Sequence, residues 1–213
     1  MKKLILISAS ILMIISLGIG VAFSESKKNQ SHEAALDPDI IELLSKAGFG
    51  IEPLTGISHT GNKILVGGLS FIASEQQAEK FIDEYYKKFK ARGYYVFRQE
   101  RGYNYISDRV GIIKSTDQFD ILRIRKTHAY THNLSTLQII EKLKQWNNRY
   151  GIDLIGAGYN WLNFRFNKTP ENMSAFANEV LDFCPDVLLF SAGTVDQLQQ
   201  SIKTDRALFL QWN

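Results

Sequence analysis

The chain has 213 residues, of which 45% are hydrophobic and 22% charged, with 25 Lys plus Arg against 22 Asp plus Glu and a single Cys. That is a globular composition, which excludes a disordered or collagen-like chain and allows one large domain or two small ones. One cysteine excludes an intramolecular disulfide framework and a thiolate-rich zinc site.

Lys2 and Lys3 precede an apolar run from Leu4 to Phe23 that only Ser and Gly interrupt, and the run stops at Ser24-Glu25-Ser26-Lys27-Lys28. Ala22-Phe23-Ser24 puts small residues at the two positions a signal peptidase reads. Residues 1–24 are therefore expected to be an export signal cleaved before Glu25. A retained membrane anchor is the competing reading, because about 20 apolar residues also span a bilayer. No Cys lies near this end, which excludes a lipid anchor. Residues 25–36 read as a polar tether and residues 37–213 as a single α+β domain. The removed segment holds two of the 25 basic residues and no acid, which leaves 23 basic against 22 acidic side chains. A near-neutral chain with interspersed signs lacks the field that phosphate backbones need, so no nucleic-acid partner is expected.

Asp37-Pro38-Asp39 before Ile40, Ile41, Leu43 and Leu44 predicts a short helix stopped by Gly48. Residues 51–62, with Pro53, Gly56 and Gly61, read as loop, and 64–73 as a strand. Ser74-Glu75-Gln76-Gln77 has capping-box spacing and opens a helix that Arg92-Gly93 ends. Strands are expected at 94–98, 110–114 and 119–125, with a polar turn at 101–104. Ser135 to Gln138 is a second capping box, whose helix carries Ile139, Leu143, Trp146 and Tyr150 to Gly151. Strands 152–156 and 161–166 follow, joined by a Gly158-Tyr159-Asn160 turn. Thr169-Pro170-Glu171 predicts the next helix start, with Met173, Phe176, Ala177, Val180 and Leu181 buried and Cys184-Pro185 as the stop. A strand at 187–190, a helix capped by Thr194 and a strand at 207–212 complete the chain. This order predicts a ferredoxin-like, split βαβ sandwich in the second half, with an added αβ unit and an N-terminal extension of the sheet.

Gly68-Leu69-Ser70-Phe71, Asp117 to Arg123, Ile155-Gly156-Ala157-Gly158, Phe183-Cys184-Pro185-Asp186, Gly193-Thr194-Val195 and the end at Trp212 together resemble the bacterial domain of unknown function 4253 family, over roughly residues 65–213. The resemblance implies a fold and a grouping but no reaction. Family members tend to carry an acid where this chain has Asn160 and Asn213. An amide there accepts no proton and balances no cation charge.

Cys184 continues the buried stripe at the carboxy-terminal end of its helix, where the dipole raises a thiol pKa, so it reads as a packing residue. His128 and His132 are four apart but lie in a connection without a completing acid or thiol, so no metal site and no cofactor is expected. Gly193 and Thr194 at a helix start are candidate anion ligands through backbone amides, although capping explains them as well. Asp120, Arg123 and Arg125 on the expected strand, flanked by Tyr130 and His128, form the most interesting polar set, and Asp186 is a further candidate ligand. Arg123 and Arg125 would share one face and hold a carboxylate or phosphate, or be ion-paired to neighbours. The sequence contains no convergent nucleophile, base and orienter. The expected function is thus a non-enzymatic, exported module that binds a small molecule or a protein and touches the membrane only through residues 4–23 if these are retained. The alternatives are a hydrolase or transferase around Asp120 and Arg123, and an immunity-type protein that neutralises a toxin.

Overall fold

Ser74 and Ser135 open the two longest helices among the described residues in the same way. Each Oγ accepts from the amide of Gln77 or Gln138, and each Gln Oε1 accepts from the Ser amide, at 3.0 and 2.9 Å. Reciprocal capping satisfies groups that the first turn leaves unpaired. The computed structural model describes residues 36–102 and 107–213. The expected export signal, all but Leu36 of the expected tether, and Tyr103 and Asn104 of the expected turn lie outside the described residues. Leu36 itself is buried in the core.

The described elements run α1 (Pro38–Lys46), β1 (Ile51–Ile57), β2 (Lys63–Ala73), α2 (Glu75–Lys90), β3 (Tyr94–Glu100), β4 (Asp108–Lys114), α3 (Asp120–Arg125), a 3-10 turn (Tyr130–His132), α4 (Thr136–Tyr150), β5 (Ile152–Ala157), β6 (Trp161–Phe166), α5 (Met173–Phe183), a π turn (Leu188–Ala192), α6 (Val195–Asp205) and β7 (Ala207–Gln211). The strands form one mixed sheet in the order β1-β2-β4-β3-β5-β6-β7. Every pairing is antiparallel except that of β3 with β5, which meet at Arg98 and Gly156.

Side-chain alternation assigns the two faces. Arg165 of β6 pairs with Asp83 of α2, so its neighbours Phe164 and Phe166 point the other way, where they meet Trp146 of α4 and Phe176 of α5. Asp153 of β5 likewise reaches Lys90 of α2. Phe49 stacks on Phe71 and Phe81 meets Phe71 edge-to-face on the α2 side, and Arg92 ties the end of that helix to Asp37 and Asp39 at the start of α1. Trp146, Trp212, Phe71, Phe97, Phe164 and Phe176 are all essentially inaccessible, and they anchor layers on both faces. No helix among the described residues is long and apolar enough to cross a membrane.

Four expectations are corrected. Residues 119–125 are not a strand, because Asp120–Arg125 form α3 with Ile121, Leu122 and Arg125 turned inward. The second half therefore lacks the first strand that the expected ferredoxin-like order required. Residues 51–57 are not loop but β1, an outermost strand where Pro53 removes no essential ladder bond. Residues 187–190 are not a strand, since Leu188–Ala192 close a π turn packed against β7. The helix expected at Thr169 begins later, where Asn172 Oδ1 accepts from Ala175 N at 3.0 Å.

Candidate functional site

Three connections and the end of β7 meet at one end of the sheet. The segment from α3 to α4 is held there by its backbone. Thr127 Oγ1 donates to Gly158 O at 2.7 Å, and His128 N donates to Tyr159 O at 2.9 Å. Ala129 and Leu134 exchange both amide bonds, closing a loop around the 3-10 turn. Asn133 is left-handed and donates its amide to Tyr130 O, and Ser135 then caps α4. A loop so fully hydrogen-bonded is preorganised.

It holds unusual groups in water. Tyr130 is 83% exposed and Tyr159 55%. The His128 ring stands edge-to-face on Tyr159, with centroids 4.0 Å apart, and its Nδ1 lies 2.8 Å from Lys126 O. A cleft of about 190 Å3 opens beside it, lined by His128, Ala129, Tyr130, Asn133, Leu134 and Ser135.

The same loop is latched to the connection after α5. His132 Nε2 meets Asp186 Oδ2 at 2.9 Å, and that oxygen also accepts from Asn213 N at 2.9 Å. The amide of Asn213 and the imidazole of His132 hold the Asp186 carboxyl below the usual aspartate range. Thr131 Oγ1 donates to Asn213 O, and Asn160 Nδ2 donates to Trp212 O. Asp186 also accepts from the amides of Leu189 and Phe190 through its backbone oxygen, which brings those two exposed apolar residues beside the latch.

The residues picked out from the sequence thus fall into separate groups. His128 and Asp186 belong to this loop cluster. Gly193 and Thr194 follow the π turn, where their amides donate to Leu188 O and Ala192 O, and Thr194 Oγ1 accepts from Gln197 N as the cap of α6. Asp120 and Arg123 lie elsewhere. Arg123 Nη1 bonds both Asp117 and Asp120, at 2.8 and 2.5 Å, and Ser115 Oγ donates to Asp120. The Asp117 carboxylate, and then that of Asp120, raise the Arg123 pKa.

Arg123 and Arg125 do not share a face, as strand neighbours would, because two steps along a helix turn a side chain to a different side. Arg125 points inward, where burial lowers its pKa. Its Nη1 lies 3.3 Å from Thr55 O, and Gln99 Nε2 reaches the same oxygen at 3.0 Å. Arg125 Nε and Gln99 Oε1 are buried without partners among the described residues.

Cys184 is fully buried, its Sγ donating to Gln211 O, and burial pushes the thiol up to about 12. Among the described residues there is no group of three or more His, Cys, Asp or Glu that could hold a metal ion. The sequence points to Tyr130 only as a neighbour of the expected strand, to His132 only as a rejected metal ligand and to Tyr159 only as a turn residue. An aromatic at a turn position, as in Gly158-Tyr159-Asn160, was the available signal.

The family model described as Domain of unknown function (DUF4253) matches residues 109–213, which is consistent with the family resemblance read from the sequence. The match takes in α3 through β7, and with them the whole loop cluster, but not Gly68 to Phe71. No curated protein and no solved structure matches the chain.

Proposed function

We propose that this protein is an exported binding module that recognises a partner through the surface around His128–Ser135, and that it does not act as an enzyme. The observation that carries this reading is the exposure of Tyr130 on a loop whose backbone is tied at both ends. A large ring held rigidly in water loses little entropy on contact and removes apolar area from water. Tyr159, Leu189 and Phe190 are further exposed apolar side chains on the neighbouring connections, of the kind interaction patches use. The run from Leu4 to Phe23 after Lys2 and Lys3 supports an extracytoplasmic place of action. A hydrolase or transferase at Asp120 and Arg123 is less well supported, because Arg123 is engaged by both Asp117 and Asp120, and Asp120 also accepts from Ser115.

The reading is tested by capture from envelope extract with the purified protein and with a Tyr130→Ser, Leu189→Ser variant of unchanged melting temperature. A polypeptide enriched by the first and lost by the second supports it. Equal enrichment, or enrichment by neither, removes it.

A further inference from the structure

Burial and pairing run opposite to one another at the two arginines of α3. The Arg123 side chain is 39% exposed yet bonded by two carboxylates, at 2.8 and 2.5 Å. Arg125 is 6% exposed, and among the described residues no carboxylate lies within hydrogen-bonding distance of it. Buried charges in folded proteins are paired, because desolvation is costly. Arg125 is not, which points to an anion supplied from outside the fold.

Its guanidinium is fixed on one side only. Nη1 lies 3.3 Å from Thr55 O, an oxygen that Gln99 Nε2 also reaches. Nε and Nη2 form the other edge of the planar group, one that can hold two oxygens of a single anion. Nε is unpartnered among the described residues, and Nη2 has Glu100 Oε1 at 4.0 Å. Both neighbouring strands are irregular at these contacts, with register shifts between Pro53 and Thr55 in β1 and between Arg98 and Glu100 in β3. Such bulges re-aim side chains.

Two further cations close on the same carboxylate. Lys63 Nζ is 3.7 Å from Glu100 Oε1, and Arg109 Nε is 3.6 Å from Oε2. All three cations thus stand beyond hydrogen-bonding distance of Glu100. Arg109 is also bonded to Glu52, so over these ion pairs three cations face two acids and one positive charge is in excess. The side chains of Lys63 and Glu100 are 70% and 38% exposed, which opens the cluster to solvent.

We infer that Arg125, Arg109 and Lys63 form a binding site for a tetrahedral oxyanion, a phosphate group, with Glu100 as the internal anion that it displaces. The planar carboxylate already there hydrogen-bonds to none of the three cations. A phosphate brings a third oxygen and more negative charge, so it can engage the open edge of Arg125 together with the cations of β2 and β4. This site does not depend on the binding reading above.

The test is titration of the purified protein with inorganic phosphate, methyl phosphate and acetate, followed at the Nε–H resonance of Arg125. Inorganic phosphate is expected to shift that resonance, and acetate to bind about fivefold more weakly, the worth of one net hydrogen bond. Glu100→Gln removes the competing charge and is expected to tighten phosphate by about tenfold. Lys63→Met, at an exposed position, is expected to keep the melting temperature and to weaken phosphate by about threefold to fivefold. No shift at Arg125 with phosphate, acetate binding as tightly as phosphate, or unchanged affinity in both variants overturns the inference. Methyl phosphate binding as tightly as phosphate supports it with a phosphate ester as the source, and binding of the free anion alone supports it with inorganic phosphate as the source.

Discussion

His132 Nε2 and Asp186 Oδ2 lie 2.9 Å apart, joining residues 54 positions apart in sequence. Because the same oxygen accepts from Asn213 N, one carboxylate ties the turn bearing Tyr130, the segment leading to Leu189 and the residues after β7 into a single surface.

Asp186→Ala is expected to lower stability by about 1–2 kcal/mol, the cost of two groups losing their acceptor. The carboxyl's pKa is depressed in the folded state, so its contribution is complete above the unfolded value near 4 and is lost as pH falls through the folded one. Denaturant unfolding of wild type and variant should therefore differ at neutral pH and converge in acid. A constant difference down to the lowest pH would contradict the assignment.

Glu179 bonds Arg149 through both oxygens and takes the indole N–H of fully buried Trp146 at 3.0 Å. Arg149, with Trp146 and Lys142, holds the carboxyl down to about 2, against 4.5 unperturbed. Its stabilisation is present above about 4.5 and disappears between there and about 2. Glu179→Ala should cost about 1–3 kcal/mol, because Trp146 loses its partner. Tryptophan fluorescence during unfolding checks this, and a loss below the range would show that water replaces the carboxylate.

Arg125 and Arg123 should respond in opposite ways to shape. Arg125 is buried with an unpartnered Nε, so Arg125→Met is expected to destabilise less than Arg125→Ala, which leaves a cavity. Arg123 is half-exposed in its ion cluster, and Arg123→Ala should cost at most about 1 kcal/mol, less in high salt. Melting curves of the three variants at two salt concentrations decide this.

Gly68 has φ +138, and a Cβ there would lie 2.3 Å from Ile112 O of β4. Gly68→Ala is expected to destabilise by more than about 2 kcal/mol, since strand backbone must move as well as adopt a strained conformation. A variant with unchanged unfolding midpoint would show that β2 and β4 separate freely here.

The capped helices were legible because Ser-x-x-Gln and Thr-x-x-Gln encode their own first turns, and β3 through β6 because β-branched and aromatic residues run between glycines. Residues 119–125 misled because six or seven residues with Ile121, Leu122 and Ile124 between polar side chains fit an alternating strand and a short helix equally well. Pro53 and Gly56 disguised β1, since an outermost strand tolerates both. Leu188 to Phe190 read as a strand by composition and were taken into a π turn by packing against β7. His128 and Asp186 were visible as polar residues in connections. Their separation from Asp120 and Arg123, and the pairing of Asp186 with His132, depended on which connections the sheet order brings to one end.

The central claim, that the loop cluster binds a polypeptide, is tested most directly by quantitative capture from envelope extract with wild type and the Tyr130→Ser, Leu189→Ser variant at matched stability. The account predicts one polypeptide whose recovery falls at least about tenfold in the variant, the loss of roughly 1.4 kcal/mol of binding. Equal recovery, or turnover of a compound that depends on Asp120, would contradict it.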